Sequence, residues 1–433
     1  MELSRSLRTL LVAALLLGCW GLVEDLRNMD KDGAIDLRNR VTGARLMVRH
    51  TDPYFYKWKI DDGDLFCDPF NASTVPVSKT TVSPLALALN VPFQGLNYRT
   101  IQWGWLLVQY LCLAGGFWVW SSGQRRIDLA WGAVFTLLYC FTPSWRLHVD
   151  RGQTYVLYAS LMLGMAALTL MKTRAREWLE GLGSALLCGL RPVYLGCGGR
   201  FLAKRQLPLW AGLVMGAVLV LGAPSLIGGS GIWGNYARAM NVHSQLYLTQ
   251  TVPARAPMEF SSEVEGMPLD MLAGFAPNIP FGDTSIYKLV SFALPSQLLL
   301  IVWAALAVFS GFRRSSSDAA LRWWSVAAWA VVGDFLLPAF RNPYNDVLIW
   351  PVLLLGLQVL RGGARKTWIA MALLLLLAQT VVWRLPPGFI PVPSAVALLL
   401  ALVVVVWTAF FADKLGSDVP TPMKPGRHTR RRS

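Results

Sequence analysis

The stretch from Asp32 to Tyr56, DGAIDLRNRVTGARLMVRHTDPYFY, places acidic, basic and aromatic residues directly after an apolar N-terminal segment. From Asp36 onward its apolar residues recur at roughly helical spacing, which predicts a short amphipathic helix. The helix should end before Asp52-Pro53, because the residue that precedes a proline disfavours the α conformation. A carboxylate at the start of a helix on a membrane surface could accept a proton at the bilayer edge. Asp36 is therefore a candidate catalytic base, with an N-terminal helix cap as the structural alternative.

A second group of polar side chains lies in the sequence SWRLHVDRGQ, from Ser144 to Gln153, which we predict to be an outer turn between two apolar runs. Arg151 carries a planar fork of donors that matches a phosphate. His148 and Gln153 could position phosphate or hydroxyl groups. The same residues would also suit an interfacial turn that contacts lipid headgroups.

Two further arginines are candidates because of where they lie. Arg191-Pro192 interrupts an apolar, glycine-rich segment, and an ionisable residue inside a membrane is a functional hypothesis by default. Arg341 follows an apolar run that contains Asp334, at a predicted outer helix end. Pairing of Arg341 with Asp346 or with lipid headgroups is the structural alternative.

Signatures of soluble enzymes are absent from the sequence. There is no Walker A loop, no GxGxxG after a strand, no GxSxG and no HExxH. The six cysteines show no zinc spacing, and the four histidines form no cluster with them. We therefore expect neither a metal site nor a cofactor.

The composition is that of a membrane protein. Of the 433 residues, 54% are hydrophobic and only 15% are charged, against about 25% charged residues in an average soluble domain. The net charge of +15 is divided among short basic clusters between apolar runs. This distribution follows the positive-inside rule and does not indicate a nucleic-acid partner.

The pattern of apolar runs predicts an all-α polytopic membrane protein with about ten transmembrane helices. Residues 180–203, with basic clusters at both ends, should form a broken or re-entrant segment. Two large loops, 23–100 and 229–286, should lie outside the cell membrane. Residues 1–413 would then form the membrane domain, and 414–433 a basic, disordered cytoplasmic tail in contact with membrane lipids. The predicted spans are 7–22, 101–121, 128–143, 153–171, 209–228, 287–311, 320–338, 345–361, 367–384 and 393–412.

Several short motifs resemble those of glycosyltransferase family 87, which belongs to the GT-C superfamily of polyprenyl-phosphate-dependent enzymes. Asp36-Leu37 followed by Asp52-Pro53-Tyr54 is similar to the family's first-loop string. The segment 81–85 resembles its Tyr-Pro-Pro-like element, with Val and Ser in place of Tyr and Pro. Gly152-Gln153 is similar to the Gly-Gln that precedes a membrane helix, and Arg191-Pro192 stands where relatives often have Lys-Pro. The tyrosine that usually follows the Asp-Leu closely is absent here.

The resemblance implies a GT-C-like bundle that moves a mannose- or arabinose-like sugar from a polyprenyl-phosphate donor to a glycan or glycolipid acceptor. The reaction would take place on the extracytoplasmic side of the inner or plasma membrane, with inversion and with Asp36 as general base. The expected donor-binding residues are Arg151, Arg191, Arg341, His148 and Gln153.

Two other functions fit part of the sequence. A polymerase or ligase of lipid-linked glycans shares large outer loops and arginine-rich outer turns. A transporter or flippase could use the broken segment 180–203 as a substrate site. The size of the outer loops and the lack of similarity between the two halves of the chain argue against transport.

Overall fold

The structure is a computed structural model, and it describes residues 3–32, 34–56, 69, 80–168, 175–203, 206–249, 296–313, 319–337, 341–382 and 391–410. All regular secondary structure in these ranges is helical. The α-helices are α1 Arg5–Asp32, α2 Ile35–Val48, α3 Pro84–Ala88, α4 Tyr98–Ser121, α5 Arg126–Phe141, α6 Pro143–Asp150, α7 Tyr155–Leu168, α8 Ala175–Leu190, α9 Gly199–Ala203, α10 Leu207–Gly228, α11 Ile232–Thr249, α12 Ser296–Arg313, α13 Ala319–Leu336, α14 Ile349–Val359, α15 Gly362–Val382 and α16 Pro391–Phe410. Short 3-10 helices cover Val91–Phe93, Pro192–Gly198 and Pro343–Leu348.

The all-helical class is as predicted, and the protein is integral to a membrane. In the described ranges, four helices are long and apolar enough to cross a bilayer: α1, α10, α15 and α16. The count rises to five if α5 and α6, which are bent by 60° at their junction, form one span. A helix overlaps each of the ten predicted spans. The count of ten and the arrangement of the loops remain predictions, since several of these helices are short for a bilayer core of about 30 Å.

The first helix is longer than predicted. The apolar run led us to end the first span at residue 22, but α1 has 28 residues and continues to Asp32. Its last turns are held by side chains of α4: Gln102 donates to the backbone carbonyl of Met29, and Arg99 forms an ion pair with Asp30. The polar end of α1 is therefore held by tertiary contacts that hydropathy does not report.

The predicted turn 144–153 is wrong for most of its length, because residues 143–150 form α6. The start of this helix follows from local chemistry. Thr142 is the N-cap, its hydroxyl accepts a hydrogen bond from the Trp145 backbone N–H at 3.3 Å, and Pro143 occupies the first turn. Only Arg151 to Thr154 connect α6 to α7.

The break at Arg191-Pro192 lies where the sequence placed it. Helix α8 ends at Leu190, and Pro192 begins the 3-10 helix that leads into α9. Helix α8 packs closely against α10, and a side chain at Gly181 or at Gly212 would collide with a backbone carbonyl of the opposite helix. Such glycine contacts let two membrane helices approach closely.

Helix α14 lies at the centre of the core. Its residues Ile349 to Leu355 are all buried, and it contacts α5, α7, α13, α15 and α16. A helix that is apolar on all sides suits such a position. The predicted span 345–361 is therefore divided into a 3-10 helix and an 11-residue α-helix.

Two smaller elements, α2 and α3, pack with α10 and α11 and form a separate small apolar cluster. Tyr54 belongs to it, and its hydroxyl donates to the Val82 carbonyl at 3.0 Å. The two family-like segments around Tyr54 and Ser83 are thus in direct contact. Three parts of the predicted layout lie outside the described residues: 57–68 and 70–79 of the first loop, 250–286 of the second loop, and the tail 414–433.

Candidate active site

The start of α2 is fixed by the turn between α6 and α7. Ala34 is the N-cap, in a left-handed conformation with φ of 54° and without a side-chain capping bond. Its carbonyl accepts from the Tyr98 hydroxyl at 3.1 Å, and the Asp36 backbone N–H donates to the Arg151 carbonyl at 2.9 Å. Asp36 therefore lies in the first turn and is not the cap. The alternative of a capping role for Asp36 is wrong, and its carboxylate is available for other contacts.

Gly152 allows the turn to approach α2. It has a φ of +65°, and a Cβ at this position would lie 2.9 Å from the Cβ atoms of both Ala34 and Leu37. A residue with a side chain would be strained by the backbone angle and would also push the turn away. The Gly-Gln pair noted in the sequence thus has a physical basis, since the glycine brings the next residue to Asp36.

The Asp36 carboxylate is held from two sides. Gln153 donates its amide Nε2 to Oδ2 of Asp36, and Arg151 lies with a guanidinium nitrogen 3.5 Å from Oδ1. The side chain of Asp36 is 24% exposed and that of Arg151 is 38% exposed. A carboxylate has about four lone-pair positions, so two remain available for a substrate hydroxyl. The structure therefore brings three of the predicted site residues together.

Arg40 completes this group, although the sequence analysis did not select it. It is buried, and its guanidinium donates to the Gly152 carbonyl and to Oε1 of Gln153. Because the side-chain oxygen of Gln153 accepts from Arg40, the side-chain NH₂ group of Gln153 must face Asp36. The signal in the sequence was the spacing of four between Asp36 and Arg40, which places both on one face of a helix.

Arg191 lies at the break after α8 and is held by two other elements. One terminal nitrogen donates to the Tyr155 hydroxyl at 2.8 Å, and the other pairs with Oδ1 of Asp334 on α13. The guanidinium carbon lies 4.6 Å from the centre of the Tyr155 ring, within cation–π range. Its Nε is buried and has no hydrogen-bond partner in the described part of the chain. The side chain is still 18% exposed.

Arg341 pairs with the same carboxylate as Arg191, that of Asp334. It is 2% exposed, and it donates to Oδ2 of Asp334 and to Oδ1 of Asp346, both at 2.8 Å. The other oxygen of Asp346 accepts from Ser394 on α16 at 2.8 Å. The pairing with Asp346, considered above as the alternative for Arg341, is therefore present.

Two tyrosines lie between the Asp36 group and the Arg191 group. The rings of Tyr155 and Tyr344 are 5.8 Å apart. Burial first, and the nearby Asp36 carboxylate second, raise the pKa of Tyr344 well above its usual range, so its hydroxyl stays protonated. Asn342 donates to this hydroxyl at 3.0 Å. Tyr344 is near Asp36 and Tyr155 contacts Arg191, so the two tyrosines connect the two groups.

His148 is fully buried on α6 and makes no direct contact with Asp36 or Arg191 among the contacts described. Its ring stacks on Trp145 with 5.5 Å between centres, and its Nε2 accepts from the Val156 backbone N–H at 3.3 Å. It also contacts the Tyr155 ring edge-on at 6.3 Å. His148 thus holds the start of α7, and it touches the site through Tyr155.

An apolar cavity of about 290 Å³ has Leu190 in its wall. It lies between α3, α7 and α8, and Leu190 in its wall is the residue before Arg191. Its lining residues are Leu85, Leu89, Leu157, Ser160, Leu161, Leu186 and Leu190.

The described residues contain no group of three or more His, Cys, Asp or Glu side chains placed to hold a metal ion. The polar atoms that face the site come from arginine, glutamine, tyrosine and one carboxylate. This set suits an anionic substrate with hydroxyl groups.

The fold is a helical bundle with membrane-spanning helices, and its candidate site combines a held carboxylate with arginine side chains. The sequence profile of glycosyltransferase family 87 matches residues 81–337, more than half of the chain. The chain therefore belongs to glycosyltransferase family 87, and it is a membrane glycosyltransferase. No curated protein and no solved structure matches it. Arg151, Gln153 and Arg191 lie inside the matched range, whereas Asp36 and Arg341 lie outside it.

Proposed function

We propose that this protein transfers a sugar from a polyprenyl-phosphate donor to a glycan or glycolipid acceptor on the extracytoplasmic face of the cell membrane. The observation that carries the proposal is the Asp36 carboxylate, which Gln153 and Arg151 hold in place and which is still accessible. Family membership gives the reaction class. Within that class, an oriented and accessible carboxylate is the group that a general base requires.

In the proposed reaction, the acceptor hydroxyl attacks the anomeric carbon of the donor sugar while Asp36 takes the hydroxyl proton. The bond from the anomeric carbon to the phosphate oxygen breaks in the same step, and its electron pair leaves with the lipid phosphate. A single displacement of this kind inverts the anomeric configuration.

We propose that Arg191 and Arg151 neutralise the departing phosphate. A phosphate can leave without being protonated, so cations can replace the acid that an inverting hydrolase uses. Arg191 supports this role because its side chain is 18% exposed and each of its terminal nitrogens carries a second N–H that can donate to a phosphate. Arg341 is too deeply buried for direct contact and would act through Asp334 and Arg191. Gln153 would orient Asp36, and His148 would support Tyr155. The reaction as proposed needs no metal.

The apolar cavity supports a lipid-linked donor. A phosphate bound at Arg191 would place its lipid chain next to Leu190 and the other apolar side chains of the cavity. Burial of such a chain stabilises binding by about 0.8 kcal/mol for each CH₂ group removed from water. The mannose- or arabinose-like identity of the sugar rests on the family resemblance.

The test is transfer of a labelled sugar from a short-chain polyprenyl-phosphate donor by the purified protein in nanodiscs, with a chelator present. Asp36→Asn keeps the size and the Gln153 contact but removes the base. We expect turnover to fall by about 10²- to 10⁴-fold, the usual contribution of a general base, while donor binding is retained.

Asp30→Asn is the matched control, because Asp30 is a neighbouring carboxylate whose ion pair with Arg99 is exposed. We expect near-wild-type turnover from this variant. Normal turnover by Asp36→Asn, or its loss in Asp30→Asn, would show that the base is assigned wrongly. Movement of the lipid across sealed vesicles without sugar transfer would instead favour a transporter.

A further inference from the structure

The acidic partner of Arg191 is Asp334, and the two residues are 143 positions apart in the chain. Asp334 belongs to a buried network in which two arginines, Arg191 and Arg341, meet two aspartates, Asp334 and Asp346. The formal charges of these four residues cancel. Both carboxylates are fully buried, so Arg191 at 18% exposure is the accessible edge of the network.

Asp334 uses its two oxygens in different directions. Oδ1 accepts from Arg191, whereas Oδ2 accepts from Arg341 at 2.8 Å and from the Asn345 amide at 3.0 Å. The second oxygen thus anchors the carboxylate to residues 341–345, and the first can hold Arg191. Together with the Tyr155 hydroxyl, this contact engages both terminal nitrogens of the guanidinium. Each terminal nitrogen has a second N–H that these two contacts do not use, and the side chain is 18% exposed.

We propose that Asp334 is a positioning residue, which holds the Arg191 guanidinium in the orientation that receives the donor phosphate. This inference rests on the proposed function and names the residue that prepares its cation. An arginine side chain that is fixed before binding loses less rotamer freedom when the phosphate arrives. Without Asp334, Arg191 would keep its charge but would have to be ordered by the donor itself.

The expected signature is a change in donor affinity. For Asp334→Asn, we expect the donor KM to rise about tenfold, the order expected for loss of one hydrogen bond to a charged group. The acceptor KM should stay within about twofold of wild type. A tenfold rise in the acceptor KM would equal the loss of one hydrogen bond to the acceptor, which the proposal does not expect. Tyr155→Phe, which deletes only the other hydroxyl anchor of Arg191, should raise the donor KM in the same direction. This second variant keeps the proposal testable if Asp334→Asn does not fold.

Asp346→Asn is the matched control. Asp346 is as deeply buried as Asp334 and also pairs with Arg341, but it makes no contact with Arg191 in the network described above. Both substitutions should lower the Tm, whereas only Asp334→Asn should change the donor KM. An equal rise in donor KM in both variants would reduce Asp334 to a structural role and overturn the proposal.

A double-mutant cycle with Arg191→Gln gives the second measurement. If Asp334 acts through Arg191, Asp334→Asn should have little further effect on donor KM in the Arg191→Gln background. Additive effects would contradict the proposal, as would a lower donor KM in Asp334→Asn, which would mean that Asp334 competes with the phosphate. In each case the wild-type protein must transfer sugar in the same assay. Failure of the wild type would count against the proposed function and would be distinguishable from failure of this inference.

Discussion

At Gln153, one side-chain amide connects the carboxylate of Asp36 to the guanidinium of Arg40. Because Arg40 donates to its oxygen, the orientation of the amide is fixed, and its NH₂ group is directed to Asp36. In the proposed reaction, Gln153 orients the carboxylate and does not itself transfer a proton. A small change at this residue should affect the reaction more than it affects stability.

We predict that Gln153→Leu lowers kcat by about tenfold or more, with a smaller effect on KM for either substrate. Leucine has a similar size but makes neither hydrogen bond, so Asp36 would lose its orientation, and small misplacements of a catalytic group can cost about 10²-fold. Steady-state kinetics in nanodiscs measures the change. Gln109→Leu is the control, because Gln109 is buried on α4 and its amide has no hydrogen-bond partner in the described part of the chain. Equal losses in both variants would contradict the role given to Gln153.

At the scale of elements, the turn between α6 and α7 is the part that assembles the Asp36 group. Its backbone bonds to the start of α2, and its side chains reach Asp36 from both sides. The close approach depends on Gly152, where any Cβ would meet Ala34 and Leu37. The backbone conformation and the close contact with α2 therefore both favour glycine at position 152.

We predict that Gly152→Ala lowers both the Tm and kcat. An L-residue in the left-handed region costs about 1–2 kcal/mol, and the collision would move Gln153 away from Asp36. Thermal unfolding and the transfer assay measure the two effects. Gly164→Ala on α7 is the control, since nothing lies within 4 Å of its added Cβ and its backbone is helical. A wild-type kcat for Gly152→Ala would show that the turn tolerates displacement from α2.

The sequence was sufficient for the elements whose signals are local. Helix α2 was predicted from its apolar spacing and from Pro53, and the break at Arg191 from Pro192. The length of α1 was not predicted, because its polar end is held by Gln102 and Arg99 of another helix. Local pattern decides where a helix can form, whereas tertiary contacts decide how far it continues.

The site itself was only partly accessible from the sequence. The proximity of Asp36 and Gln153 followed the resemblance to the family, but the pairing of Arg191 with Asp334 joins residues 143 positions apart and has no local signal. The left-handed Ala34 could not have been predicted either, since non-glycine residues rarely adopt it. Its conformation depends on contacts with Tyr98 and with the turn.

For the whole molecule, the proposed function requires that Asp36 lies on the outer side of the membrane. In the predicted topology, α4 spans the membrane from the region near α2 to the turn at Ser122. The basic residues Arg125 and Arg126 that follow this turn favour a cytoplasmic position for it by the positive-inside rule. The orientation of α4 across the membrane therefore decides on which side the site opens.

We predict that, in a variant whose six native cysteines are replaced, Leu96→Cys is labelled by a membrane-impermeant maleimide in intact cells. Ser122→Cys should be labelled only after the membrane is opened. Both positions are exposed and flank the two ends of α4, so each serves as the control for the other. Labelling of Ser122→Cys alone in intact cells would invert the topology and place Asp36 on the cytoplasmic side.

The bonds from Arg40 to the Gly152 carbonyl and to Gln153 have a further consequence for how this enzyme could be recombined with its relatives. The segment that carries the proposed base and the turn that orients it are separated by more than a hundred positions, yet they make one structural unit. A chimera that exchanges only the first 56 residues would join a base to a foreign turn. Exchange of both segments together, with the backbone contact between Asp36 and Arg151 preserved, would keep the unit intact. In this protein, the smallest transferable piece of the active site is therefore discontinuous in the gene.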